Sequence, residues 1–495
     1  MEYAYKVGGQ DVALELDRTV VAVRFDDTIP KSGRARATAA VRGLSPFTAR
    51  YEVPGERLTL VPVPPPAVGG VSPMAAIGAL NGQPEVARAL PVFRIGPNKA
   101  VPTERVILGL HAGGDPEAVA RKHGLKLVGT AGGDAIVATI PDDGDVFAVC
   151  RALDADADVD YAEPDFVTIG RRLTSFVPVQ PGPLDPMQDQ QYALKLIGAL
   201  AAQRLAPARR DVLIAILDEG VATTHPDLAP AVAGTFDGVD ADSFQEPNPW
   251  DGHGTACAGL AVAIGGNGIG IRGVAAGAGL LAGRIAYSDG EGRPWVTTTR
   301  QIARTIAWAW RSAGAWIISN SWGGLAPSST VERELEGART LGRGGLGCVI
   351  VIAAGNDGRQ VLYPGSLPDM LTVGASNQFD EVKTWDSADG EDGWASCRGP
   401  QVSVVAPGVR NLTTAIGNGY DPVFNGTSSA TPIVAGVAAL ILSARPELPE
   451  AAVRRIIRET AVKIGPFPYA DGHNDAAGFG RVDALAAVQA AIAHP

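Results

Sequence analysis

From Asp185 onward, short runs of continuous apolar residues alternate with longer stretches in which small and apolar residues recur at helical spacing. DVLIAIL, GLLAGRIAY, WIISNS, CVIVIAAG, MLTVGA and VSVVAPG read as strands, and GTACAGLAVAI, TTTRQIARTIAWAWRSAG and ATPIVAGVAALILSA as helices. Strands apolar on both faces and separated by helices predict a parallel sheet covered on either side, a doubly wound α/β domain. In such folds ligands gather beyond the carboxyl ends of the strands, near a reversal of strand order. Polar residues at strand ends are therefore the ones to weigh.

The pattern upstream is different. Residues 1–94 carry short strand-like runs such as TVVAVRF and RLTLVPV, broken by turns and by the proline cluster VPVPPPAVGG, and predict a β-rich region without visible chemistry. Residues 95–170 alternate RVILGL, DPEAVARKHG, DAIVATI, DVFAVCRALDAD and VDYAEPDFVTI, a small α+β module. Residues 171–184, RRLTSFVPVQPGPL, are polar and proline-bearing and predict an extended surface linker. The strand-and-helix domain then occupies residues 185–495.

Composition narrows the function. With 495 residues, 46% hydrophobic content and 61 glycines, the chain can build more than one core with many tight turns. A net charge of −11, with no long Lys/Arg block, argues against nucleic-acid partners. Cys150, Cys257, Cys348 and Cys397 lack paired or metal-ligand spacing and read as free thiols. No apolar segment reads as a membrane span, so no membrane partner is expected. MEYAYKVGGQ lacks a basic region followed by an apolar one, which favours a cytoplasmic location, or a secreted one if a leader has been removed.

Three polar residues stand at predicted element ends. Asp218 follows six apolar residues, His253 lies between glycines in DGHGTACAG, and Ser428 begins the helical run in NGTSSATP. Each alone has an ordinary structural reading: a turn former, a structural imidazole, a helix cap. Together in one α/β domain they are the parts of an activated nucleophile. Ser428 and Ser429 point about 100° apart on a helix, so only one can face the imidazole. Pro432 is expected to be tolerated because the first helical turn leaves N–H groups unpaired.

LDEGVATTHPDL, DGHGTACAG, AAGND and NGTSSATP resemble the signature blocks of subtilisin-like serine proteases, in that family's order. The resemblance implies a serine endopeptidase with Ser428 as nucleophile, His253 as general base and Asp218 orienting the imidazole. It makes Asn356 the side-chain donor of the oxyanion hole. SNSWGG resembles the segment beside which a peptide substrate lies, using Ser321, Trp322 and Gly323, although Trp322 fits a core position equally well. VLYPGSLP resembles the wall of the pocket for the residue before the cut, with Leu362 at its base.

The family also implies a structural calcium ion on oxygens of Asp185, Asp227 and Asn267, where ordinary Asp and Asn turns are the alternative. No organic cofactor is expected. Residues 95–170 resemble a propeptide, an intramolecular inhibitor and folding aid, with self-cleavage expected between about Arg171 and Leu184. The expected partner is a protein or peptide substrate. The main rival is a catalytically silent or locked scaffold acting through its N-terminal region. An esterase is disfavoured by the absence of a G-x-S-x-G elbow and by chain order, a metalloprotease by the absence of H-E-x-x-H.

Overall fold

The structure is a computed structural model that describes residues 3–26, 29, 34, 37, 38, 40, 41, 44, 51–53, 58–64, 71–141, 144–170 and 185–494. The chain forms two compact units. The larger comprises Arg172–Tyr287, Gln301–Gly324 and Val331–Pro495, and the smaller comprises Met1–Arg171, Ser288–Arg300 and Leu325–Thr330.

In the larger unit the apolar runs form a seven-stranded sheet, every adjacent pair parallel. Its spatial order is Val232–Asp237, Gly279–Arg284, Leu213–Asp218, Ile317–Asn320, Val349–Ala353, Leu371–Ser376 and Val402–Pro407. The earliest strand, Leu213–Asp218, has later strands on both sides, so the order reverses there. A crevice outside the carboxyl ends of Leu213–Asp218 and Ile317–Asn320 is the expected ligand position.

Helix Thr427–Ala444 runs through the main core of this unit, with all but three of its eighteen residues buried. It packs with helices His253–Val262 and Ala484–Ala493. Its mean hydropathy of 1.6 would suffice by composition for a membrane span, against the expectation that no segment qualifies, yet 83% of it is buried inside the protein. A helix apolar all round is also what the centre of a large core requires.

The smaller unit changes the expected boundaries. Position 94 falls inside the strand Val86–Ile95, and strands on both sides of it share one nine-stranded sheet. Residues 1–94 and 95–170 are therefore parts of one unit. Strand Trp295–Thr298, from within the expected catalytic span, completes an edge of this sheet antiparallel to Val159–Gly170. Backbone pairing between strands distant in sequence overrides a boundary drawn from local pattern. The expected linker and processing region, residues 171–184, lies outside the described residues.

Within the smaller unit Glu163 is fully buried. Its carboxylate accepts from the Ser328 hydroxyl at 2.5 Å, the Ser329 amide at 2.6 Å and the Thr330 amide at 3.2 Å. Burial raises its pKa to about 7 despite these three donors.

Candidate active site

Asp218 closes its strand and is 4% exposed. Its carboxylate faces His253, the first residue of helix His253–Val262, with Nδ1 at 2.8 Å from Oδ1 and 3.0 Å from Oδ2. The Glu219 amide donates to the same Oδ1 at 2.9 Å, holding the carboxylate in place. Close approach of strand and helix depends on Gly254: a methyl group there would lie 2.2 Å from the Gly220 carbonyl oxygen and 2.9 Å from Asp218 Cβ. The Phe424 ring packs edge-on against the imidazole, centroids 5.4 Å apart.

Burial by itself would depress the imidazole, but the Asp218 charge and hydrogen bond reverse this and raise it well above its ordinary value. Cys257, one helical turn on, has Sγ 3.9 Å from His253 Nδ1 and 3.6 Å from the Ser428 carbonyl. Burial pushes that thiol up, so it stays protonated at neutral pH and Asp218 supplies the shift. The spacing His253, Cys257 is visible in sequence as one helical turn, although this neighbour was not singled out there. All four cysteines are buried free thiols, as expected.

Ser428 is the second residue of helix Thr427–Ala444, which starts from Gly426 at φ 109. Its hydroxyl donates to the Ser321 carbonyl at 2.9 Å and is turned there in place of His253. Ser429, fully buried, instead accepts from the Asn411 amide nitrogen at 2.8 Å. Pro432 is the sixth residue of the helix, beyond the first turn. It cannot donate to the carbonyl four residues earlier, which belongs to Ser428. That carbonyl is satisfied by the Ser321 hydroxyl at 2.9 Å instead. A local replacement bond makes this proline tolerable.

Asn356 follows the carboxyl end of strand Val349–Ala353. Its Oδ1 accepts from the Thr427 amide at 2.8 Å and the Thr427 hydroxyl at 3.0 Å, which fixes the orientation of the side-chain amide. Nδ2 is thereby left for another acceptor, and a methyl group on Gly426 would lie 3.3 Å from it and 3.5 Å from the Ser428 amide nitrogen. Thr427 is a positioning residue that reading the sequence missed; its only signal was its place inside the GTS block.

Of the expected substrate residues, Ser321, Trp322 and Gly323 continue from strand Ile317–Asn320. Trp322 is 9% exposed and its indole N–H donates to the Leu217 carbonyl at 2.8 Å, so its side chain belongs to the core. Leu362 packs on the cluster of Ala354, Val361, Cys397 and Val402. A methyl group on Gly355 would lie 2.7 Å from its Cδ1, and one on Gly323 would lie 3.6 Å from its Cβ. The leucine side chain therefore occupies space that Gly355 leaves open and lies within van der Waals reach of Gly323.

Most side-chain oxygens of the residues expected to hold calcium already accept hydrogen bonds. Asn267 turns its amide nitrogen, not its oxygen, to Asp227 at 2.8 Å. Asp185 accepts from the Gly266 amide and has Arg272 Nη2 3.4 Å away. His225 is buried, its Nε2 2.9 Å from the Gly419 carbonyl, so it holds a structural position.

The subtilase family (peptidase S8) model matches residues 209–483, more than half of the chain. Thermitase of Thermoactinomyces vulgaris is 36% identical over 309 residues, covering 62% of this chain and 99% of thermitase. The thermophilic serine proteinase of Bacillus sp. (strain AK1) is 34% identical over 325 residues, 65% of this chain and 72% of that protein. Among solved structures, fervidolysin from Fervidobacterium pennivorans, a keratinolytic enzyme related to subtilisin, overlays with a TM-score of 0.62 at 24% identity. That overlay takes in 78% of this chain and 61% of fervidolysin, and it supports the fold. By sequence match and by architecture, this chain belongs to the subtilase family of serine endopeptidases, hydrolases of protein and peptide substrates.

Proposed function

We propose that Ser428, His253, Asp218 and Asn356 carry out peptide-bond hydrolysis through an acyl-enzyme. The observation that carries this reading is the Asp218–His253 pair set beside the start of the Ser428 helix. The Ser428 hydroxyl leaves the Ser321 carbonyl, passes its proton to His253 Nε2 and attacks the scissile carbonyl carbon. Asp218 holds Nδ1–H and stabilises the imidazolium that forms. Asn356 Nδ2 and the Ser428 backbone N–H donate to the oxygen that becomes negative. The imidazolium then protonates the leaving amine, and water, activated by the same imidazole, releases the acid.

An extended peptide would lie along Ser321–Gly323, with the side chain before the cut directed toward Leu362. Because Leu362 occupies the space that Gly355 leaves open, that pocket would favour a small side chain. The chain is further read as a self-processing zymogen whose N-terminal unit acts as intramolecular inhibitor. Supporting this are its α+β form and the polar, proline-bearing composition of residues 171–184.

A fluorophosphonate probe on wild type and Ser428→Ala tests the first claim. Labelling of wild type alone is expected, and no labelling of a folded wild type would favour the silent scaffold. Intact mass after prolonged incubation tests self-processing. Wild type should shorten and Ser428→Ala should not; equal masses would remove the zymogen reading.

A further inference from the structure

We infer that in the loop Gly265–Gly273 the guanidinium of Arg272 supplies the positive charge for which a structural calcium would otherwise be needed. Calcium takes about six to eight oxygen ligands at roughly 2.3–2.6 Å. Of the five side-chain oxygens on Asp185, Asp227 and Asn267, four already face N–H or O–H donors, the exception being one oxygen of Asp185. Asp227 is fully buried; its Oδ1 accepts from Asn267 Nδ2 at 2.8 Å, and its Oδ2 from the Ile271 amide at 3.0 Å and the Tyr420 hydroxyl at 2.9 Å. Asn267 cannot simply be reversed. Its Oδ1 accepts from the Ile269 amide at 3.0 Å, so reversal would break two hydrogen bonds at once.

Asp185, 6% exposed, keeps one carboxylate oxygen on the Gly266 amide and on Arg272 Nη2. Its other oxygen is buried and without a partner among the described residues, as is Arg272 Nε. The arginine is anchored on two further sides: Nη1 donates to Gln203 Oε1 at 2.9 Å, and its backbone amide donates to Gln191 Oε1 at 2.9 Å. Gly265 makes room for it, since a methyl group there would fall 2.3 Å from Arg272 Cζ. A guanidinium stays charged at any working pH and offers donors in a fixed plane, so it neutralises Asp185 without an exchangeable ion. A divalent cation in the same loop would face that guanidinium at close range. The oxygen set and the nearby charge therefore do not fit calcium at this position.

The test uses the full chain carrying Ser428→Ala, which prevents self-digestion, and adds Asp185→Asn, Arg272→Leu or Arg272→Lys. Melting temperature is measured in EDTA and in millimolar calcium, and retained calcium is counted by native mass spectrometry. The parent and Asp185→Asn should show the same difference between the two conditions and retain the same number of ions. Arg272→Leu should melt several degrees lower than the parent in EDTA, with Arg272→Lys between them. The inference is overturned if Asp185→Asn abolishes a calcium-dependent stabilisation or loses an ion that the parent holds. It is equally overturned if Arg272→Leu melts like the parent in EDTA. Should Arg272→Leu fail to fold, the comparison of parent with Asp185→Asn still decides.

Discussion

The Ser321 hydroxyl donates to the Ser428 carbonyl, and the Ser428 hydroxyl donates back to the Ser321 carbonyl, each at 2.9 Å. The first bond exists because Pro432 leaves the Ser428 carbonyl without its helical donor. It ties the start of the Ser428 helix to the end of strand Ile317–Asn320. Ser321→Ala should therefore loosen the position of Ser428. A lost hydrogen bond of about 0.5–1.5 kcal/mol predicts a fall in kcat of roughly two- to tenfold with KM little changed. Steady-state kinetics on a peptide substrate checks this, and an unchanged kcat would show that the reciprocal pair does not position the nucleophile.

Asn356→Ala should lower kcat by about 10² to 10³ and leave KM nearly intact, the size known for this donor within the family itself. Thr427→Val removes only one of the two bonds that orient Asn356. Its loss should be in the same direction and smaller. A larger effect in KM than in kcat for Asn356→Ala would place this residue in substrate binding rather than in stabilisation of the transition state.

Because Asp218 raises the His253 pKa, activity and stability should respond to pH in opposite directions. The base must be neutral, so kcat/KM should rise with pH through an apparent pKa above 6.5. The stabilising His253–Asp218 interaction is fully present below the unfolded pKa and is lost as pH climbs through the raised folded value. Melting temperatures of Ser428→Ala should therefore fall in the window where wild-type activity rises. Asp218→Asn should remove that fall and sharply reduce activity; a pH profile unmoved by this substitution would separate the carboxylate from the base.

If Leu362 limits the pocket before the cut, Leu362→Gly should widen specificity. Cleavage products from a peptide library should shift from small toward large apolar residues at that position. A pocket contact of this kind is worth about 1–3 kcal/mol, or roughly 10- to 200-fold in relative kcat/KM. The same product spectrum from both proteins would place the pocket elsewhere.

Glu163 gives the smaller unit its own pH response. Its pKa is raised from 4.5 to about 7, so its favourable contribution is fullest below 4.5 and is lost as pH rises through about 7. Hydrogen exchange along Val159–Gly170 should become faster across that interval in wild type. Glu163→Gln, neutral throughout, should flatten the change. An unchanged exchange profile in the variant would assign the pH response to another group.

The apolar runs and their polar ends determined locally which segments are strands, and they drew attention to Asp218, His253 and Ser428. A strand buried on both faces must be apolar throughout, and that signature is readable without knowing its neighbours. The four ordered blocks added the family. Only the tertiary structure decided which strands pair, because register and partner are set by backbone groups far apart in sequence. Residues 1–94 and 95–170 thus share one sheet, and Trp295–Thr298 joins it from a later part of the chain. Contacts across space also settled the side chains that the motifs left open. Trp322 is anchored to Leu217, Asn356 is oriented by Thr427, and Ser321 replaces the donor that Pro432 lacks. Motif spacing grouped Asp185, Asp227 and Asn267, but it carries no record of which atom of each side chain faces its neighbour. That orientation follows from hydrogen-bond satisfaction in the folded loop, where Arg272 is already present.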